Sequence, residues 1–143
     1  MRTGLFLVCL LASFGTAASA WEEPPRGSEL RMQLLDTARA IAAYALSPPV
    51  EFVVSTLRQQ DGRAFGTLQP QRPGGAEIPW ESTRYARNGD QQEWFDGQTM
   101  HVFLKEVDGE WYVEDYSIGA TDAWWSSSEL CNEYQSVIPE YCQ

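Results

Sequence analysis

His101 is the single histidine in a chain of 143 residues, so any Ser/His/Asp or Cys/His nucleophilic set must use it as the base. It sits in the middle of a strand-like run. Ser127, Asp122 and Asp115 are the residues that folding would have to bring to it, but no G-x-S-x-G elbow is present. A lone histidine on a strand reads first as a packed side chain. Paired carboxylates offer a second chemistry, general acid and base work on a glycan. Glu93 and Asp96 flank Trp94-Phe95, and Asp115 and Asp122 lie near Trp124-Trp125, so acid and sugar-stacking ring occur together. With 20 acidic residues in the chain such neighbours arise easily, and Asp96-Gly97 and Asp108-Gly109 also serve as turns. Calcium would need alternating oxygen ligands before a glycine, and a phosphate cradle would need a P-loop glycine spacing and lysine; Lys105, the only lysine, has neither context. Cys131 and Cys142, the two cysteines outside the N-terminal apolar run, and one histidine do not make a zinc set. No metal and no cofactor is therefore expected.

The first twenty residues carry the three parts of a secretory signal peptide: Met1-Arg2, an apolar run from Leu5 to Phe14, and the small-x-small site Ala18-Ser19-Ala20. Cleavage is expected before Trp21, leaving one domain over 21–143. The run is too short to span a bilayer, which takes about 20 apolar residues, so no membrane insertion is expected after cleavage. The location implied is the periplasm or the exterior. Cys9 lies within the run behind bulky Val8, which argues against lipidation. Its removal with the leader leaves Cys131 and Cys142, expected as one disulfide stapling the C-terminal tail. The formal net charge of −10 becomes one unit more negative when Arg2 departs. Nucleic acid and anionic membrane are then poor partners, because both need a cationic face.

Positioning these residues requires few elements. Ser28 caps a helix to Leu46, with Leu30, Leu34, Leu35, Ala38, Ile41, Ala42 and Ala45 at helical spacing and Ser47-Pro48-Pro49 as its stop. The stripe is narrow and alanine-rich, which suits close packing on a sheet, while Arg31, Gln33, Asp36 and Arg39 form a water-facing side. Val50 to Arg58 and Arg63 to Leu68 read as strands around Asp61-Gly62, and regular structure is expected to lapse from Gln69 to Gly75. Ser82 and Thr83 offer caps for a short helix ended by Asn88-Gly89, within a long crossing segment that reaches Gly97. Thr99 to Val107 and Glu110 to Ile118 form a second hairpin around Asp108-Gly109, with Trp111, Val113 and Asp115 facing one way and Tyr112, Glu114 and Tyr116 the other. The order implies an α+β fold: one N-terminal helix packed across an antiparallel sheet of about four strands.

Adjacent Trp124 and Trp125 either divide between core and surface or wedge together between the helix and the stapled tail. Trp80 and Trp94 in the crossing segment pose the same question, so an aromatic groove between that segment and the tail is the expected pocket. The candidate binding residues are Trp80, Trp94, Asp96, Asp122, Trp124 and Trp125.

The run from Asp108 to Trp124, D-G-E-W-Y-V-E-D-Y-S-I-G-A-T-D-A-W, together with Pro70, Arg72-Pro73-Gly74-Gly75, Tyr85 and Phe95-Asp96-Gly97, resembles a family of small exported proteins of Gram-negative bacteria whose role is uncharacterised. It covers roughly residues 30 to 125, implies a small α+β periplasmic domain, and implies no activity. The stapled tail lies outside the shared pattern. On the residues themselves, the leading expectation is an acidic binding module, an inhibitor or immunity-type partner of a basic periplasmic protein. The alternatives are a carboxylate-dependent hydrolase of wall glycans and a small-ligand carrier with an aromatic pocket.

Overall fold

The computed structural model describes residues 21–142, so the expected signal peptide and Cys9 lie outside the described residues. Helix α1 (Glu29–Leu46) is followed by strands β1 (Glu51–Gln60) and β2 (Arg63–Gln71), a short helix α2 (Arg84–Asn88), strands β3 (Met100–Val107) and β4 (Glu110–Ile118), and helix α3 (Ser128–Tyr134). The strands form one antiparallel sheet in the order β1-β2-β3-β4. Among the described residues, no helix is long and apolar enough to cross a membrane.

Helix α1 begins where the Ser28 side chain accepts a hydrogen bond from the Arg31 amide at 3.2 Å. It buries Leu34, Ala38, Ala42, Ala45 and Leu46 against the sheet, the small side chains allowing close approach. At its far end Ser47 adopts a φ of 63° and the Arg72 guanidinium donates to the carbonyls of Leu46, Ser47 and Pro49. One cation thereby satisfies acceptors that the helix leaves open and places positive charge at its negative end. Arg31 departs from the expectation of a water-facing side. It is buried and donates to the Pro24 carbonyl at 2.9 Å, because the extended lead from Trp21 folds back over the first turn of the helix.

Both hairpins close with two residues at positive φ, Asp61 and Gly62 (49° and 71°) and Asp108 and Gly109 (53° and 84°). That conformation matches the right-handed twist of the paired strands. Two corrections concern their extent and facing. Strand β2 continues through Pro70 to Gln71 where a lapse was expected; its pairing with β3 stops at Leu68, so Pro70 lies where one side of the strand is an open edge and its missing N–H is tolerated. In β4 the register shifts between Phe103 and Leu104, since Leu104 pairs with Val113 and Phe103 with Asp115, leaving Glu114 as an inserted residue. Paired residues share a face, so Tyr116 joins Trp111 and Val113 on the helix side, and Asp115 joins Tyr112 on the other.

Each face of the sheet has its own cover. Ala64, Leu68, Met100, Val102 and Leu104 meet α1, whereas Phe65 and Phe103 meet Tyr134, Val137 and Ile138 of the C-terminal tail. The expected disulfide is present: Cys131 and Cys142 are bonded, with Cα atoms 5.3 Å apart. Arg58 ties the lead, β1 and tail together, its guanidinium 4.4 Å from the Trp21 ring centre and donating to the Val137 carbonyl at 3.2 Å and to Glu140.

Candidate functional site

The crossing segment is a built structure. Trp80, Tyr85 and Phe95 form a ring cluster with centroids 6.1, 5.0 and 4.8 Å apart, organised around Thr83. The fully buried Thr83 hydroxyl donates to the Trp80 carbonyl at 2.7 Å and accepts from the Ala86 amide at 3.2 Å, so one side chain ends a tight turn and caps α2. Burial, with the charges of Tyr116 and Asp90 behind it, pushes the Tyr85 hydroxyl up to about 12. The segment is anchored beside the end of β4 at Gly119, where the Asp96 amide donates to the Gly119 carbonyl and the Gly119 amide to the Thr99 carbonyl, both at 2.9 Å. Gly119 has a φ of 68°, and a Cβ there would stand 2.6 Å from the Gly97 carbonyl oxygen and 2.9 Å from Phe95. Only glycine permits that approach.

Between this segment and the far ends of β2 and β3 lies a cleft of about 240 Å³, lined by Gln69, Pro70, Glu77, Ile78, Gln92 and Gln98 among others. Two of its amides are held in place from behind. The Gln98 side-chain nitrogen donates to the Ile78 carbonyl at 2.9 Å, and the Gln69 side-chain oxygen accepts from the Thr99 hydroxyl at 2.8 Å. Trp94, 60% exposed, follows Gln92 in the same tight turn and makes no ring contact among the described residues. Gln69 falls in the stretch expected to be irregular, and nothing in the residue types of Gln92 or Gln98 marks them as lining a cleft.

The candidate binding residues fall in separate places. Trp80 belongs to the crossing-segment cluster, while Trp94 is exposed two residues before Asp96. Trp124 and Trp125 lie together on the opposite face of the sheet, half-buried between the strands and the tail rather than against the helix. No ring contact joins the two sets among the described residues, and the cleft between the segment and the strand ends is lined mainly by amides rather than by these rings. The Trp124 indole nitrogen donates to the Ser117 hydroxyl at 2.6 Å and its ring meets the edge of Phe103. Trp125 stacks on His101 with centroids 4.1 Å apart. Asp122 is exposed, and the Asp115 carboxylate accepts from the Tyr116 amide.

His101 is held between Phe65 and Trp125, and burial lowers its pKa below the ordinary histidine value. Its Nδ1 and the Trp125 indole nitrogen are buried without a hydrogen-bond partner among the described residues. No hydrogen bond joins the ring to Ser127, Asp115 or Asp122 there, and the Ser127 hydroxyl instead accepts from the Leu130 amide as the cap of α3. Among the described residues no group of three or more His, Cys, Asp or Glu could hold a metal ion. No family model, curated protein or solved structure matches the chain.

Proposed function

We propose that the chain is an exported acidic binding module that acts by contact with a basic protein, as an inhibitor or immunity-type partner. The observation that carries this reading is how unevenly charge is spent inside the fold. Among the described residues, ion pairs engage only Glu23, Asp36, Glu114, Glu133 and Glu140 of the 20 acidic side chains. The cations, by contrast, are mostly committed. Arg31, Arg39, Arg58, Arg63 and Lys105 make those pairs, Arg72 and Arg87 donate to carbonyls and hydroxyls, and Arg84 lies over the Tyr44 ring. With 20 acidic side chains against 10 basic ones in the sequence, the field that reaches a partner is negative, and a field of one sign raises the encounter rate with an opposite surface.

The test is to immobilise oxidised 21–143, expose it to periplasmic extract at low ionic strength, and raise salt. A discrete basic protein that elutes with salt, and that is retained less by a Glu93→Gln, Asp96→Asn, Asp122→Asn variant, is the expected result. A column that retains nothing, or retains material indifferent to salt, overturns the reading.

A further inference from the structure

We propose that the open edge of β4 takes up an extended, basic segment of a partner protein as a further strand, with the groove between α1 and the start of β4 receiving one of its cations. The inference rests on the acidic-partner reading and gives it a surface. Strand β4 ends the sheet, and among the described residues no backbone group from outside the sheet bonds to the backbone of Glu110–Ile118. The other end of the sheet differs. There Gln59 of β1 exchanges two backbone bonds of 2.9 Å with Glu22 of the lead, so that edge is partly taken. An uncovered edge supplies a row of donors and acceptors that an added strand can use.

The side chains along this edge select the occupant. On the tail face stand Glu110, Tyr112 and Asp115, all exposed, and on the helix face Trp111, Val113 and Tyr116. Side chains of an added strand stand beside those of β4 face by face, so the occupant is basic at every second residue. On the helix side a groove of about 340 Å³ lies between Gln33, Asp36 and Thr37 of α1 and Gly109, Glu110 and Trp111. Its lining brings carboxylates and an indole together without a cation, which suits a guanidinium or ammonium held by charge and by the ring face. Asp36 already pairs with Arg39, whereas the Glu110 carboxylate has the neutral Tyr112 hydroxyl as its partner at 2.8 Å. The groove beside β1, by contrast, is lined by Arg26 and Arg31, which a basic segment avoids. A second copy is disfavoured at β4, because its own Glu110, Glu114 and Asp115 would stand beside the same carboxylates. The bulge at Glu114 confines the regular edge to 110–113, and past it the Tyr116 amide donates to the Asp115 carboxylate at 2.8 Å, so the added strand is short.

The experiment titrates isotope-labelled, oxidised 21–143 at low ionic strength with a capped peptide of alternating arginine and threonine, about nine residues long to match one strand. The same peptide N-methylated throughout and its glutamate-threonine counterpart serve as comparisons. The expected result is that the arginine-threonine peptide slows amide exchange within 110–113 and shifts the Trp111 indole N–H, while the amides of Val53 and Val54 in β1 do not move. N-methylation should abolish binding, since it keeps the charge and removes the strand's donors. Glu110→Lys is expected to weaken binding by about tenfold, and Glu51→Lys, an equal change of net charge at the start of β1, by less than about twofold. Both positions are exposed, so both variants keep the thermal midpoint of the parent. Equal weakening by the two variants, or undiminished binding of the N-methylated peptide, overturns the strand edge and leaves the acidic-partner reading standing, because charge alone then accounts for the attraction. Preference for the glutamate-threonine peptide, or a dimer of the free protein with the same β4 amides protected, overturns it in favour of an acidic segment or a second copy. Absence of binding by every peptide also overturns it, while the salt-eluted column decides the acidic-partner reading separately.

Discussion

On one face of the sheet Leu34, Ala38 and Ala42 of α1 pack on Leu57, Val102 and Leu104 in an aliphatic contact, whereas on the other the tail meets Phe65, Phe103 and His101 through stacked rings, ion pairs and a disulfide. The contact on the first face is one of apolar burial, which involves no titrating or redox-active side chain. The second is conditional. Tyr134 is fully buried yet donates its hydroxyl to Glu114, and burial together with that bond pushes its pKa far up. Glu133 draws in both Arg63 and Lys105, whose hydrogen bonds lower its pKa. The difference teaches that one small sheet can carry an aliphatic cover and a conditional one, and that Trp21, Phe65, Phe103, Trp124, Trp125 and Tyr134 serve the second.

Substitution in the aliphatic face should have the largest effect. Leu34→Ala removes a fully buried side chain and should cost about 2–5 kcal/mol, read as a lower denaturant midpoint of similar size with the disulfide intact or reduced. A cost that appeared only in the oxidised protein would break the distinction between the faces.

Removing the staple comes next. Cys131 and Cys142 are 11 residues apart, and the chain-entropy model gives about 3 kcal/mol for a loop of roughly this size. Cys131→Ser with Cys142→Ser should shift tryptophan emission to the red as Trp124 and Trp125 meet water, while amides of α1 keep their exchange protection. Equal loss of protection in α1 and in the tail would show a single cooperative unit and erase the contrast.

The smallest effect is titration of His101. Its folded pKa lies below the unfolded value of about 6.5, so the unfolded chain binds the proton first as pH falls. Its contribution should leave stability unchanged above that value, lower it progressively as pH falls below about 6.5, and level off once the folded state is also protonated. His101→Phe, which keeps a ring between Phe65 and Trp125, should remove this component of the pH dependence. A parent and variant with the same profile down to pH 5 would contradict it.

Much of this architecture was legible in residue types. The two Asp-Gly turns fixed both hairpins because positive φ at consecutive positions admits few residues, and the alanine stripe marked the side of α1 that packs. Thr83 and Gly89 bounded α2 by their capping chemistry. What escaped depends on contacts between distant residues. The bulge at Glu114 carries no local signal, yet it moves Asp115 and Tyr116 to opposite faces from those expected by strict alternation. Arg31 looked solvent-facing until the lead around Pro24 folded over it. The cleft is assembled from Gln69 and Gln98, far apart in sequence and oriented by Ile78 and Thr99, and the type of a glutamine does not announce whether something holds it.

The most direct test of the acidic-partner account is the association rate of oxidised 21–143 with the salt-eluted basic protein, measured across ionic strength. Because the sequence carries 20 acidic side chains against 10 basic ones, the rate should fall steeply between low and physiological salt while the dissociation rate changes little. An association rate that is the same at both ends of the range would contradict it.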